Sequence, residues 1–150
     1  MTASRAGARA DTTDRADRSP AQWFCLIVGA TLVLVGLLGF IAEPDFSPEA
    51  GSDLIIFEVN GVHNLVHLLS GAFLLALMGR RDTARTAALA FGLVYLVVTV
   101  IGFADGSDIL GLFPIDAEDN VLHLLLTVAA LGAYAASRET DLETRRARTT

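Results

Sequence analysis

His63 and His67 stand four residues apart in a stretch that is otherwise almost wholly apolar, and Asp119 and His123 repeat that spacing further along. On a helix, residues four apart share a face, so each pair makes a short polar stripe. Ser70 and Gly71 continue the first stripe and Thr127 continues the second. Three imidazoles and a carboxylate converging between two helices could ligate a divalent metal, since imidazole suits zinc, copper, iron and nickel. His67 and His123, one from each stripe, could instead be the axial ligands of a haem. A proton or cation path using Asp119 and the histidines is a third chemistry open to the same residues. The plain alternative is hydrogen bonding across helices, about 0.6 kcal/mol per bond on average in membrane bundles, which fixes their register. No cofactor is required by the sequence, and metal or haem stands as the alternative; no Cys-x-x-Cys-His accompanies the histidines.

The elements that must position these residues are set by hydropathy. The chain has 150 residues of which 53% are hydrophobic, with a mean hydropathy of +0.52, more apolar surface than a soluble domain of this size could hide. Four apolar stretches stand out, at about 23–42 (WFCLIVGATLVLVGLLGFIA), 61–79, 86–104 and 120–136, and a helix of roughly 20 such residues spans the hydrocarbon of a bilayer. An all-α, integral membrane four-helix bundle is the expected fold class, with a transmembrane domain over 22–136. Residues 1–21 are polar and poor in large apolar side chains, and are expected to be a disordered tail; residues 137–150 form a second tail. The first stretch is longer than the roughly 7–15 apolar residues of a signal peptide. The one cysteine, Cys25, excludes an intrachain disulfide.

All eleven basic residues are arginines, and they are segregated. Four precede the first stretch, Arg80, Arg81 and Arg85 lie between the second and third, and four follow the fourth. Loops 43–60 and 105–118 hold none, while carrying Glu43, Asp45, Glu49, Asp53, Glu58, Asp105, Asp108, Asp116 and Glu118. The positive-inside rule then puts both tails and the middle link in the cytoplasm, as expected of a multi-pass protein of a cytoplasmic membrane.

The chain also resembles itself. FEVNGVHNLVHLL at 57–69 aligns with FPIDAEDNVLHLL at 113–125, matching Asn60 with Asp116, Asn64 with Asn120 and His67 with His123. Gly39-Phe40 similarly matches Gly102-Phe103. Two helical hairpins related by a pseudo-twofold axis along the membrane normal are expected. Asn60 and Asp116 fall where an N-cap is needed, and Asn60, Asn64, Asp116 and Asn120 are expected to be structural polar residues. The apolar segments 54–57 and 109–113 are too short to span and are expected along the outer interface. Small residues at helix-packing spacing, Gly29 with Gly36, Ala72 with Ala76, Ala129 with Ala133 and Gly132 with Ala136, are expected to let helices approach closely.

These paired stretches, each ending in Asn-x-x-His-Leu-Leu and set among four helices, resemble a bacterial family of small membrane proteins called domain of unknown function 4383. The resemblance covers about residues 22–136 and implies the fold and the membrane location; it transfers no functional residue.

Several classes are excluded. The sequence has no Gly-rich phosphate loop, no His-Glu-x-x-His, no Gly-x-Ser-x-Gly and no paired carboxylates within a span, so no enzyme is expected. Both tails mix Arg with acids, which argues against nucleic-acid binding. The expected partners are the lipid bilayer and other membrane proteins, for a structural or interaction component of the membrane. The alternative is a metal-, haem- or ion-handling bundle built on His63, His67, His123 and Asp119.

Overall fold

Ser19 starts the first helix. Its hydroxyl accepts from the Gln22 backbone N–H and the Gln22 side chain accepts from the Ser19 backbone N–H, a reciprocal cap. Pro20 follows at a position where its missing N–H costs nothing. The computed structural model describes residues 18–47, 50–105, 108–111 and 113–149. Helix α1 is Pro20–Ala42, α2 Gly61–Leu77, α3 Arg81–Asp105 and α4 Ala117–Thr149. Most of the expected 1–21 tail lies outside the described residues, but Pro20 and Ala21 belong to α1, and Ala21 is buried.

Two other boundaries move for local reasons. α3 begins at Arg81, so Arg81 and Arg85 lie on the helix rather than in a link; arginine is a good helix former and Asp82 complements the dipole in the first turn. α4 does not stop at 136 but continues through the expected second tail to Thr149. That stretch carries four arginines and two glutamates, good helix formers, and Asp141 stands four residues before Arg145, a spacing that supports a helix.

Segments 43–60 and 105–116 hold more order than two interfacial apolar segments. Strands β1 (Ser52–Leu54) and β2 (Phe57–Val59) pair antiparallel with Asp53 opposite Glu58, and β3 (Asp108–Ile109) pairs β4 (Phe113–Pro114) with Ile109 opposite Phe113. Their turns hold Ile55 at φ 68° and Leu110 at φ 56°, left-handed conformations that non-glycine residues rarely adopt.

Three helices, over Pro20–Ala42, Arg81–Ala104 and Ala117–Glu139, are long and apolar enough to cross a membrane, and α2 is a shorter apolar helix of 17 residues, at the lower limit of about 17–25 that can span. The distribution of polarity is that of a membrane protein. Ile27, Leu37, Ile41, Val97, Val100, Leu125 and Val128 are exposed, whereas Asn60, Asn64, Thr99, Asn120, Thr127 and Ser137 are buried. Lipid offers polar side chains no partner, so they turn inward.

α1 packs chiefly on α2, and α3 on α4. A Cβ on Gly71 would lie 2.6 Å from the Gly29 carbonyl oxygen and 2.7 Å from the Val33 nitrogen, and one on Gly36 2.8 Å from the Asn64 carbonyl oxygen. The α1–α2 contact is thus backbone on backbone, as the Gly29–Gly36 spacing predicts. The other small-residue pairs do not serve this purpose: Ala72, Ala76, Ala129, Gly132 and Ala136 are exposed. The buried face of α2 runs through Gly61, His63, Asn64, His67, Gly71 and Leu74 instead.

The interior has two zones. Near the start of α1 the core is apolar, with Phe24 edge-on to Phe91 at 5.6 Å and Phe91 stacked on Tyr95 at 3.9 Å. There the Ala21 N–H donates to Ser137 Oγ (2.8 Å) and Gln22 Nε2 to the Met78 carbonyl (3.0 Å), which ties α1, the end of α2 and α4 together. Toward the β-hairpins buried polar side chains dominate, beside a small apolar cluster of Ile109 and Ile115 with Val62, Val98 and Ile101.

Candidate metal centre

The polar zone is built from two helix caps. Asn60, in extended conformation, accepts on Oδ1 from the His63 N–H at 2.9 Å and so starts α2. Asp116 Oδ1 accepts from the Asp119 N–H at 2.7 Å and starts α4 in the same way. Its other oxygen accepts from the Glu58 N–H at 3.0 Å, so one carboxylate caps α4 and holds β2. His67 and His123 each lie seven residues beyond their caps, about 10 Å along each helix.

Two buried asparagines lock the same region. Asn64 Nδ2 donates to the Glu43 carbonyl at 2.9 Å, joining α2 to the end of α1. The space beside it exists because Gly39 has no side chain; a Cβ there would collide with Asn64 Oδ1, and one on Gly102 would collide with Asn120 Oδ1. Asn60, Asn64 and Asp116 thus make side-chain bonds that join elements, while Asn120 is buried against Gly102 with its Oδ1 unpartnered among the described residues.

His63, His67 and His123 converge. Their ring centroids are 4.4 Å apart for His63–His67, 6.1 Å for His63–His123 and 6.4 Å for His67–His123. All three are buried, and one candidate ligand nitrogen from each lies within 4.8 Å of the others. His63 Nδ1 is 3.2 Å from the Glu58 carbonyl oxygen. A carbonyl only accepts, so Nδ1 carries the proton in that bond and the neutral ring keeps its lone pair on Nε2, the orientation device common at metal-binding histidines. His67 Nδ1 and His123 Nδ1 are buried with no hydrogen-bond partner among the described residues.

A cavity of about 40 Å³ lies among the three rings, bounded also by Ser70, Tyr95 and valines of α2 and α3. That holds an ion or a water, which needs roughly 10–15 Å³. It does not hold a porphyrin, so the residues do not fit a haem between His67 and His123.

Asp119 does not join this group. It is buried, on the same stripe as His123, but it lines a different and larger pocket that it shares with His67. Tyr95 is the residue that sequence reading missed. Its ring meets His123 edge-on at 5.3 Å, and its buried hydroxyl interacts with the Ser70 side chain beside the same cavity. The available signal was a polar-tipped aromatic in the middle of an apolar span, four residues before Thr99, whose hydroxyl donates to the Tyr95 carbonyl at 2.7 Å.

Residues 22–136 match the family described as Domain of unknown function (DUF4383). The chain belongs to this family. The matched segment takes in all three histidines, both caps and both β-hairpins, and leaves out the polar extension of α4. No curated protein and no solved structure matches the chain.

Proposed function

We propose that this family member is a metal-binding membrane bundle, which holds one divalent transition-metal ion between His63, His67 and His123. The observation that carries the reading is the convergence of three buried imidazoles, with ligand atoms within 4.8 Å of one another, inside helices otherwise built for lipid. A buried polar nitrogen without a partner costs about 1–3 kcal/mol, and an ion between the rings would remove that cost at His67 and His123. The competing explanation, register fixed by hydrogen bonds between the helices, is better suited to Asn64, which bonds the end of α1. Zinc held by three histidines at roughly 2.0–2.1 Å has its nitrogens about 3.4 Å apart, so modest ring rotation would close the site. A fourth position would remain for water or the Tyr95 hydroxyl. The test is equilibrium dialysis of the detergent-purified full chain against zinc, nickel and cobalt salts. One ion per chain is expected, and none retained would reject the reading.

The same reading includes an orientation and a symmetry. The arginine-free segments form the hairpin end of the bundle, while Arg80, Arg81 and the start of α1 lie at the other, which supports both termini being cytoplasmic in a bacterial inner membrane. Reporters fused after Gly51 or Gly111 are expected to read outside and one fused after Gly79 inside; any reversal rejects this topology. The paired Gly39–Asn64 and Gly102–Asn120 contacts support two duplicated hairpins about a pseudo-twofold axis. With no nucleophile or phosphate-binding motif in the sequence, the role is binding rather than catalysis.

A further inference from the structure

Asp119 is 1% exposed; its carboxylate accepts from the Asp116 backbone, and its Oδ2 has no hydrogen-bond partner among the described residues. It lines a pocket of about 310 Å³ between α1 and α4, with the β1–β2 hairpin contributing part of the wall. Apart from Thr31 the rest of the lining is aliphatic and aromatic, including Leu32 and Val35 of α1, Phe57 of the hairpin and Leu126 of α4; among the described residues Asp119 and His67 are its only ionisable groups. The volume lies at the lower end of small-molecule sites, and an apolar wall with a few convergent polar groups is their usual composition.

The surrounding charge is of one sign. Asp116, Glu118 and Glu58 all act electrostatically on Asp119, and segments 43–60 and 105–118 carry no basic residue to offset them. A low-dielectric recess inside a field of one sign concentrates ions of the other. A neutral apolar molecule would fill the pocket and leave Asp119 Oδ2 unpaired, and an anion would meet four carboxylates.

We propose that this pocket binds a lipophilic amine, an apolar body carrying one protonated nitrogen that donates to the Asp119 carboxylate. The ligand is a free amphipathic amine that partitions into the bilayer, not a phospholipid headgroup, because a phosphate brought close to Asp119 would meet the like charge of Asp116, Glu118 and Glu58, which all act on that carboxylate. The amine is expected to bind the metal-free protein, and a divalent ion on His67, which also lines the pocket, should weaken its binding.

The test uses the full chain in phosphatidylcholine nanodiscs and three compact cage molecules of nearly equal shape: 1-aminoadamantane, 1-adamantanol and 1-adamantanecarboxylate. Tritiated 1-aminoadamantane is expected to bind saturably. The alcohol should compete at least about tenfold more weakly, as a charge-assisted bond is lost, and the carboxylate not at all. Asp119→Asn should weaken amine binding at least about tenfold and leave alcohol binding unchanged. Leu126→Trp, which fills the pocket while keeping the carboxylate, should abolish both. Thermal unfolding and metal content of each variant separate loss of the pocket from loss of the fold or of the histidine site. No saturable amine binding, equal affinity for amine and alcohol, or an Asp119→Asn variant with unchanged amine affinity overturns the proposal. Displacement of the amine by phosphatidylethanolamine in the disc would make the lipid the occupant and overturn it too.

Discussion

Gly71→Val is expected to destabilise the purified protein by about 3 kcal/mol or more, at the upper end of what overpacking costs. The reason is the identity of the neighbours. A Cβ at position 71 would lie 2.6 Å from the Gly29 carbonyl oxygen and 2.7 Å from the Val33 nitrogen, both backbone atoms of α1. A side chain can rotate away from a clash, but a helix backbone has to move as a body, and α1 carries the contacts that hold Asn64 and Ser137. Gly29→Ala should cost less, because its Cβ would meet Leu75 Cγ at 3.0 Å and the Gly71 carbonyl oxygen at 3.1 Å, wider approaches than those at position 71. Ala72→Val, one residue along α2 and exposed, serves as the control and should change little. Unfolding by SDS titration or by heating in mild detergent measures all three. Equal behaviour of the position 71 and 72 variants would mean that α1 and α2 are not in backbone contact.

Removing one imidazole is expected to have the largest effect on binding. His67→Ala and His123→Ala should each lower zinc affinity by about 100-fold or more, beyond the 10–100-fold lost when only a supporting partner is removed. Neither substitution touches the Asn60 and Asp116 caps, so both variants should stay folded. Asp119→Asn should leave zinc affinity nearly unchanged, because Asp119 lies outside the histidine group. If Asp119→Asn instead costs as much as a histidine, the carboxylate is a ligand and the site is larger than three residues. Tyr95→Phe isolates the hydroxyl: a loss of affinity would make it the fourth donor, and an unchanged value would leave that position to water. Competition titration with a chromophoric chelator reads each of these.

The spans were legible in the sequence because bilayer thickness sets the length of an apolar run, and Trp23–Ala42 needed no other information. Asn60 and Asp116 were legible as caps for a similarly local reason: a short side-chain oxygen just before a periodic apolar stretch has one common use. From those caps, the seven-residue offset placed His67 and His123 at equal depth, and they meet in the structure. The hairpins were not legible. Their turns use Ile55-Ile56 and Leu110-Gly111 where Asn-Gly would announce a hairpin, so tertiary context overrides local preference there. Asp119 was misassigned because a stripe gives the angle of a residue about its own helix and not the neighbour it meets. Asp119 and His123 share that angle, yet one turn apart they face different spaces. The same limit explains Ala72, Ala76 and Gly132, whose spacing suited packing but whose face has no helix against it.

X-ray absorption at the zinc edge of the full-length, detergent-purified protein tests the histidine site most directly. Three imidazole nitrogens at about 2.0–2.1 Å and one oxygen donor are expected, with the imidazole signal reduced by a third in His123→Ala. A zinc bound only by oxygen, or a spectrum that His63→Ala, His67→Ala and His123→Ala all leave unchanged, would contradict a metal centre at these residues.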